Sequence, residues 1–415
     1  MTDRQFAEDV VRRLRAAGFE ALFAGGCVRD ELLGLAPADY DVATSARPEQ
    51  VTPLFRRTVE VGASFGVVEA IGPRRPDGSY PKVQIATFRS DGAYTDGRRP
   101  DAVTFSTAEE DARRRDFTIN GMFLDPLDGR VIDYVGGQAD LNAKILRAIG
   151  DPHDRFREDK LRLMRAVRMA ARFGFPIEDT TAAAIREMAA QLPVVSAERI
   201  AEELRKMLVH PNRVWALRQL GELGLLRHII REVGPGQDAG VWDHTLKMLA
   251  ALEGPVSFPL ALAVVLHWVG RRPAGAVCRR LKLSNVETAR VEWLVGMGRS
   301  LGVARTLKPS RLYPVLVHPG IGELLAVHRA DALASGWSMA DVEFCEGLLR
   351  DTPIEVLNPP PLLTGDDLIA LGWEQGPVFK KVLDAVREAQ LDGTIATKEE
   401  AIRLAEEIRN HHKDA

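Results

Sequence analysis

The 415-residue sequence has few cysteines, only 6% aromatic residues and no long apolar run. Its three cysteines, Cys27, Cys278 and Cys345, include no Cys-x-x-Cys pair, so we expect reduced thiols instead of a disulfide framework or a zinc site. The longest apolar run, near residues 255–269, is too short to span a bilayer and predicts a buried helix. Residues 1–5 do not open a basic region followed by an apolar stretch. We therefore expect no signal peptide, a cytoplasmic location and no membrane partner.

The chain also lacks an overall excess of positive charge, since its formal net charge is −3. This balance is not typical of a general nucleic-acid binder. The segment from Arg155 to Arg172 nevertheless holds seven basic residues and only two acidic ones, Glu158 and Asp159. A basic stripe on a weakly acidic protein indicates one directed phosphate-binding face.

A glycine turn followed by an Asp-x-Asp pair is the segment around which the chain is organised. The apolar residues 21–24 predict a strand, Gly25 and Gly26 predict a turn, and a short helix separates them from Asp39 and Asp41. Two glycines let a phosphate approach bare backbone N–H groups beside the positive end of the helix dipole. Because side chains alternate along a strand, the two carboxylates point the same way and suit two hard divalent cations. This pattern favours nucleotidyl transfer, in which one cation activates a hydroxyl and the other holds the leaving pyrophosphate.

Each half of this pattern also has an ordinary structural interpretation. Gly-Gly is usually a turn and Asp-x-Asp is usually solvated loop chemistry, but in the order strand, turn, helix and strand they favour the functional interpretation together. The form Gly-Gly-x-Val-Arg-Asp at 25–30, followed by Asp39 and Asp41, resembles the class II tRNA nucleotidyltransferase and bacterial poly(A) polymerase family. The resemblance implies that these two aspartates are the catalytic residues and bind Mg²⁺. It also implies that Gly25, Gly26 and Arg29 hold the triphosphate.

A second signature of this family is nearly matched by residues 114–120, Arg-Arg-Asp-Phe-Thr-Ile-Asn. Acids followed by arginines along one helix also complement the helix dipole, which is the structural alternative. By the match, Arg115 contacts the triphosphate and Asn120 braces the site. The polar loop at 90–106 is either a surface insertion or the counterpart of a family element that helps to switch nucleotide choice, in which Arg98 or Arg99 would serve.

Residues 157–173 predict an amphipathic helix with an apolar face and an arginine face. The arginine face carries four arginines with no interleaved acid: Arg162, Arg165, Arg168 and Arg172. An ordinary surface helix usually mixes lysine with glutamate. Residues 158–162 fit the family's Glu-Asp-x-x-Arg motif, which implies that Asp159 and Arg162 read the nucleobase. Arg165 and Arg168 would then steer phosphates or the RNA end.

The pairing edges of the bases give this motif a physical rationale. Cytosine and adenine each present an amino donor beside a ring-nitrogen acceptor, whereas uracil and guanine present the opposite pattern. The Asp159 carboxylate only accepts and the Arg162 guanidinium only donates, so the pair would admit CTP and ATP and reject UTP and GTP.

The sequence departs from polymerase-β-like sites at the third carboxylate, because that position is Gln84. An amide is a poorer metal ligand and base than a carboxylate. Three alternatives follow: the two aspartates suffice, Glu69 on the adjacent strand replaces the third carboxylate, or activity is reduced. We favour the first alternative.

Beyond residue 176 the pattern is helical almost throughout. Arg199 and Glu202, one turn apart, are a candidate ion pair in the neck. His244 and His267 lie in a stretch that resembles a worn metal-dependent phosphohydrolase (HD-type) domain, in which Trp268 stands at the metal-ligand aspartate position. An indole cannot ligate a cation, so we expect no hydrolase activity and interpret both histidines as ordinary core or surface residues.

The predicted fold class is an α/β nucleotidyltransferase head with a mixed β-sheet (1–150), followed by an all-α neck (151–215), body (216–350) and tail (351–415). The predicted function is template-independent addition of CMP and AMP from CTP and ATP to a tRNA 3′ end, with release of pyrophosphate. Within the family, a poly(A) polymerase or a CC-only or A-only enzyme shares nearly all the motifs. Two alternatives come from other classes: a small-molecule nucleotidyltransferase and a catalytically silent RNA-binding protein. No protein partner is implied.

Overall fold

The computed structural model describes four stretches of the chain: residues 1–62, 66–92, 103–374 and 376–413. The chain forms two compact units, Met1–Pro235 and Gly236–Ala415. The finer division into head, neck, body and tail stays a prediction. Arg98 and Arg99 lie outside the described residues.

The first unit begins with a mixed seven-stranded sheet in the order β3-β4-β5-β2-β1-β8-β9, and a separate ribbon pairs β6 with β7. Within the described residues, the strands are β1 Ala21–Ala24, β2 Asp41–Thr44, β3 Thr58–Gly62, β4 Val67–Ile71, β5 Lys82–Thr87, β6 Arg89–Asp91, β7 Val103–Phe105, β8 Phe123–Leu124 and β9 Val131–Ile132. Strand β2 runs parallel to β5 and antiparallel to β1. This arrangement confirms the predicted mixed sheet. It also places the end of β1 beside the start of β2.

Helices alternate with these strands along the chain and then follow one another to the end of the first unit. They are α1 Asp3–Ala16, α2 Gly26–Leu32, α3 Pro48–Val51, α4 Ala108–Arg113, α5 Gly137–Ala143, α6 Pro152–Glu158, α7 Arg162–Phe173, α8 Asp179–Met188, α9 Ala197–Leu208, α10 Arg213–Glu222 and α11 Leu226–Ile229. Thr2 and Gln5 form a capping box that begins α1, whose apolar side is buried. The core of the head joins strand and helix residues, including Leu22, Phe88 and Phe123.

The structure corrects the single helix predicted over residues 157–173. Helix α6 ends at Glu158, and Asp159 adopts an extended backbone before α7 begins at Arg162. The Asp159 carboxylate accepts from the backbone N–H of Leu161 at 3.0 Å, a local bond that competes with helix continuation. Asp159 and Arg162 therefore do not share a continuous helical face, although the apolar face of α7 is buried as predicted.

The second unit is helical in its described part. Its helices are α12 Ala239–Ala250, α13 Phe258–Val265, α14 Arg271–Arg280, α15 Asn285–Gly296, α16 Pro309–Leu316, α17 Ile321–Ser335, α18 Ala340–Asp351, α19 Ile354–Leu357, α20 Gly365–Ala370, α21 Pro377–Leu391 and α22 Lys398–Lys413. The last helices share a small core that includes Leu368, Val382 and Ala401. Across the described ranges of the chain, no helix is both long enough and apolar enough to cross a membrane.

Candidate active site

One cavity of about 640 Å³ in the first unit brings together ten of the site residues predicted from the sequence. These residues are Gly25, Gly26, Arg29, Asp39, Asp41, Arg115, Asp159, Arg162, Arg165 and Arg168. They come from the β1–α2 turn, the start of β2, the end of α4 and the α6–α7 junction. Segments more than 100 residues apart therefore meet at one opening.

Asp39 and Asp41 lie on the same side of the chain, since Asp39 is exposed, Tyr40 is buried and Asp41 is partly exposed. Among the residues that the structure describes, neither carboxylate forms an ion pair or accepts a hydrogen bond. Burial and the charge of Asp39 raise the pKa of Asp41 to about 6, despite the opposing charge of Arg115. Two neighbouring carboxylates without a cation are a fitting donor set for a hard divalent ion.

Asp39 and Asp41 have no third protein ligand beside them in the described part of the chain. Within the described ranges, no group of three or more His, Cys, Asp or Glu side chains is placed to hold a metal. Gln84 of β5 sits beside Asp41 of β2 in the parallel register. Glu69 of β4 is the neighbour of Gln84 on the other side of β5. The Glu69 carboxylate pairs with the Lys82 ammonium at 2.9 Å. A metal here would therefore draw its other ligands from nucleotide phosphates and water.

The glycine turn leaves room for a guanidinium. Gly25 has φ +72°, and a Cβ at this position would lie 2.7 Å from Nη1 of Arg115. Arg115 is held in place because its Nε and Nη2 donate to the buried carboxylate of Asp111 at 3.2 and 2.9 Å. The turn and the arginine thus form one surface beside Asp41, and the triphosphate contact of Arg115 stays a prediction.

A buried hydrogen-bond chain connects the turn to α7. The Arg29 guanidinium donates to the Asp30 and Asn120 side chains, and Asn120 in turn donates to Asp116 at 2.9 Å. Asp116 also accepts two bonds from Arg165, at 2.9 and 2.6 Å. Although burial alone would raise it, the charge of Arg165 and the bond from Asn120 hold the pKa of Asp116 well below its usual range. These hydrogen bonds fix Arg29 and Asn120, and the bracing role of Asn120 stays a prediction.

The predicted base-reading pair is held by two flanking ion pairs. Arg199 of α9 donates to both oxygens of Asp159, at 3.2 and 2.6 Å. Arg162 pairs with Glu158 and donates to the Arg114 carbonyl at 3.2 Å. A carboxylate retains acceptor capacity after one bidentate arginine, and a guanidinium carries five N–H groups, so both side chains keep sites for a ligand.

This geometry corrects the predicted pairing of Arg199 with Glu202. Glu202 lies 3.4 Å from the Lys206 ammonium, whereas Arg199 extends to Asp159, 40 positions earlier. The spacing of one helical turn favoured a local pair, but the packing of α9 against α7 brings Arg199 to the cavity. Arg199 was consequently missing from the predicted site.

The comparisons with known proteins agree with this architecture. Residues 21–147 match the family described as the poly A polymerase head domain, and residues 174–236 match the one described as a probable RNA and SrmB-binding site of polymerase A. The CCA-adding enzyme of Enterococcus faecalis is 33% identical over 413 residues, covering 95% of this chain and 94% of the relative. This chain belongs to the CCA-adding enzyme family. The counterpart from Latilactobacillus sakei is 44% identical over 227 residues, covering 54% of this chain and 55% of its own.

Solved structures of CCA-adding enzymes share the fold. The Bacillus stearothermophilus enzyme in complex with CTP superposes with a TM-score of 0.77 at 30% identity, and each chain is fully covered. The Thermotoga maritima enzyme complexed with tRNA gives a TM-score of 0.66 at 22% identity, over 98% of this chain and 95% of the other, which supports the fold alone. Membership of this family makes the chain a nucleotidyltransferase and implies that it uses a divalent metal.

The sequence pattern did not assign a site role to several charged residues that line the cavity, among them Asp116, Arg172 and Arg199. Asp116 stands inside the Arg-Arg-Asp signature and was the one with a local signal. Arg172 pairs with Asp30 at 2.9 Å, 142 positions away, and no local pattern encodes that distance.

The second unit contains a histidine cluster in the stretch that resembles a worn HD domain. His244 Nε2 lies 2.8 Å from one oxygen of Asp331, and His267 Nε2 lies 3.7 Å from the other. The Trp268 ring stands edge-on to both imidazoles. His267 is buried and His244 is partly buried, so both belong to the core, and Asp331 is the partner that sequence reasoning did not name. The absence of hydrolase activity stays a prediction.

Proposed function

We propose that this protein is a CCA tRNA nucleotidyltransferase, which adds CMP and AMP from CTP and ATP to the 3′ end of tRNA. The full-length similarity to CCA-adding enzymes supports this function. The observation that carries the mechanism is that one cavity is lined both by Asp39 and Asp41, which have no ion-pair partner among the described residues, and by Asp159 and Arg162. Cytoplasmic location follows from the same function and stays part of the proposal.

Asp39 and Asp41 would hold the divalent cofactor, which we propose to be Mg²⁺. When bound, the metal supplies electrophilic chemistry that neutralises charge on the triphosphate and activates the attacking hydroxyl. The RNA 3′ oxygen attacks the α-phosphorus, the bond to the β-phosphate oxygen breaks, and pyrophosphate leaves with that electron pair. Arg115 lies beside the Gly25–Gly26 turn, where it would neutralise the leaving group.

The neck residues would select the base and guide the RNA. Asp159 accepts from the exocyclic amine and Arg162 donates to the ring nitrogen of cytosine or adenine, while Arg199 and Glu158 hold the two groups in place. Arg165 and Arg168, each paired with a carboxylate behind it, would orient phosphates at the rim.

A labelling assay with tRNA lacking its CCA end tests the proposal. We expect incorporation of labelled CTP and then ATP in the presence of Mg²⁺, and exclusion of UTP and GTP. Incorporation of ATP alone would instead indicate a poly(A) polymerase or an A-adding enzyme, and no metal-dependent incorporation would indicate a silent RNA-binding protein.

Asp159→Ala provides the residue-level test of base selection. We expect the variant to lose at least about tenfold of its preference for CTP over UTP, because the acceptor for the amino group is gone. Asp154→Ala is the matched control, since Asp154 is exposed on α6 and outside the cavity. Unchanged base preference in folded Asp159→Ala would overturn the base-reading role.

A further inference from the structure

A second cavity, of about 550 Å³, lies in the same compact unit and shares no lining residue with the catalytic cavity. Three elements enclose it: α1, the segment 55–57 that precedes β3, and the β4–β5 connection at 71–80. Nothing in the proposed chemistry uses these residues. Its volume is within the range of sites that bind small molecules, which is about 300–1,000 Å³.

The charge of this cavity is positive. Four arginines and one acid, Asp9, line it, and Asp9 is neutralised by Arg13 at 2.9 Å. The other three arginines, Arg56, Arg57 and Arg74, are exposed and form no ion pair with any residue in the described ranges. The arginines of the catalytic cavity, in contrast, have carboxylate partners within the protein. Three exposed guanidinium groups that line one cavity and have no ion-pair partner in the described ranges are suited to an external anion, and guanidinium geometry matches phosphate.

Part of the lining is aromatic and apolar. Phe55 and Tyr80 contribute rings that are partly exposed, 38% for Tyr80, whereas Phe6 is buried beneath the lining at 4% exposure. The Arg57 guanidinium lies 5.6 Å from the centre of the Tyr80 ring, so a charged group and an aromatic surface adjoin within the cavity. Gly72 allows the hairpin to pack closely, because a Cβ there would lie 3.0 Å from the Phe6 ring.

We propose that this cavity binds a mononucleotide, with the base against the aromatic wall and the phosphates on Arg56, Arg57 and Arg74. A flat heterocycle attached to a polyanion has the two chemistries that the lining offers. Enclosure by three elements favours a compact ligand over an extended RNA strand, which needs an open groove. The inference does not depend on the catalytic role proposed above.

Residue-resolved arginine modification tests this site in the full-length protein. Phenylglyoxal labelling is quantified by mass spectrometry in EDTA, with ATP, inorganic phosphate or a short single-stranded oligoribonucleotide added. Arg218 is the matched internal control, since it is an exposed arginine of the same unit outside both cavities. We expect ATP to protect Arg56, Arg57 and Arg74 at a concentration at least about tenfold below that of phosphate, and to leave Arg218 reactive.

A double variant gives the second readout. Arg57→Ala with Arg74→Ala should raise the ATP concentration that protects Arg56 by at least about tenfold, whereas Arg218→Ala should not change it. CMP incorporation by the double variant reports that the protein is folded. Equal protection by phosphate and ATP would show that the aromatic side chains do not bind the base. Protection by the oligoribonucleotide alone would show that the cavity binds an RNA strand instead of a mononucleotide. If ATP, phosphate and the oligoribonucleotide all fail to protect these arginines, the proposed binding site is wrong.

Discussion

Asp41 is a carboxylate whose ionisation works against folding. Its pKa is raised to about 6, from an ordinary value near 4, because burial and the charge of Asp39 disfavour its anion. The folded protein thus binds this proton more tightly than the unfolded chain, so stability decreases as pH rises from about 4 to about 6 and stays low above that. The shift corresponds to at most about 3 kcal/mol.

Asp41→Asn should therefore stabilise the metal-free protein while abolishing nucleotide addition. We expect the free energy of unfolding in EDTA to increase by about 1–3 kcal/mol at pH 7.5, with little change at pH 4. Urea unfolding at the two pH values measures this difference. Asp39→Asn is the control, since removal of the neighbouring charge should give a smaller gain by lowering the pKa of Asp41. A destabilised Asp41→Asn at pH 7.5 would contradict the electrostatic account.

Arg199 is a positioning residue, because it holds Asp159 and is not expected to touch the reacting atoms. Arg199→Ala should raise KM for CTP and reduce its preference over UTP, with a smaller effect on kcat, since Asp159 loses its fixed orientation. Arg199→Lys should restore part of the preference, because it retains a single donor. Arg205→Ala on the same helix lies outside the cavity and serves as the control. If Arg199→Ala lowered only kcat, the positioning role would be wrong.

At the scale of elements, the turn between β1 and α2 leaves the space that the Arg115 guanidinium occupies. Gly25 combines φ +72° with ψ −123°, a conformation that side chains strongly disfavour. Gly25→Ala should cost about 1–3 kcal/mol of stability and displace Nη1 of Arg115, which lies 2.7 Å from the new Cβ position. We expect kcat/KM for CMP addition to fall by at least about tenfold.

Gly34→Ala is the matched control for this element. Gly34 also has a positive φ, +70°, but its Cβ position has no atom within 4 Å. It should lose about 1 kcal/mol of stability and keep the catalytic efficiency of the parent. Comparison of thermal unfolding with steady-state kinetics separates the two effects, and equal kinetic losses in both variants would show that backbone strain alone is responsible.

The elements that the sequence predicts well are those whose local signals agree with their packing. Strand β1 has the predicted bounds, since an apolar run before Gly25 is a local property. The junction of α6 and α7 was misjudged because helical periodicity continues through it. Its geometry depends on the hydrogen bond to Leu161 and on the tertiary pair of Asp159 with Arg199.

For the whole molecule, the two compact units predict separable responses to ligand. Five of the six tryptophans lie in the second unit, whereas the catalytic cavity lies in the first. CTP with Mg²⁺ at about 100 times its Kd should add roughly 2.7 kcal/mol to the unit that binds it. Hydrogen exchange should show this protection in residues 1–235, while the tryptophan fluorescence transition in urea stays at its position. An equal shift of the fluorescence transition would mean that the units unfold together.

The sequence by itself determined the reaction class and the mixed sheet, because motif chemistry and strand patterns are local. It also predicted ten site residues, which the structure gathers around one cavity. Only the tertiary structure decided the partners that hold these residues: Arg199 on Asp159, Arg172 on Asp30, and Arg165 on Asp116. Each of these pairs joins residues 40 or more positions apart. Such pairs depend on how helices pack, and packing is a sum of many weak contacts that no single stretch of sequence contains.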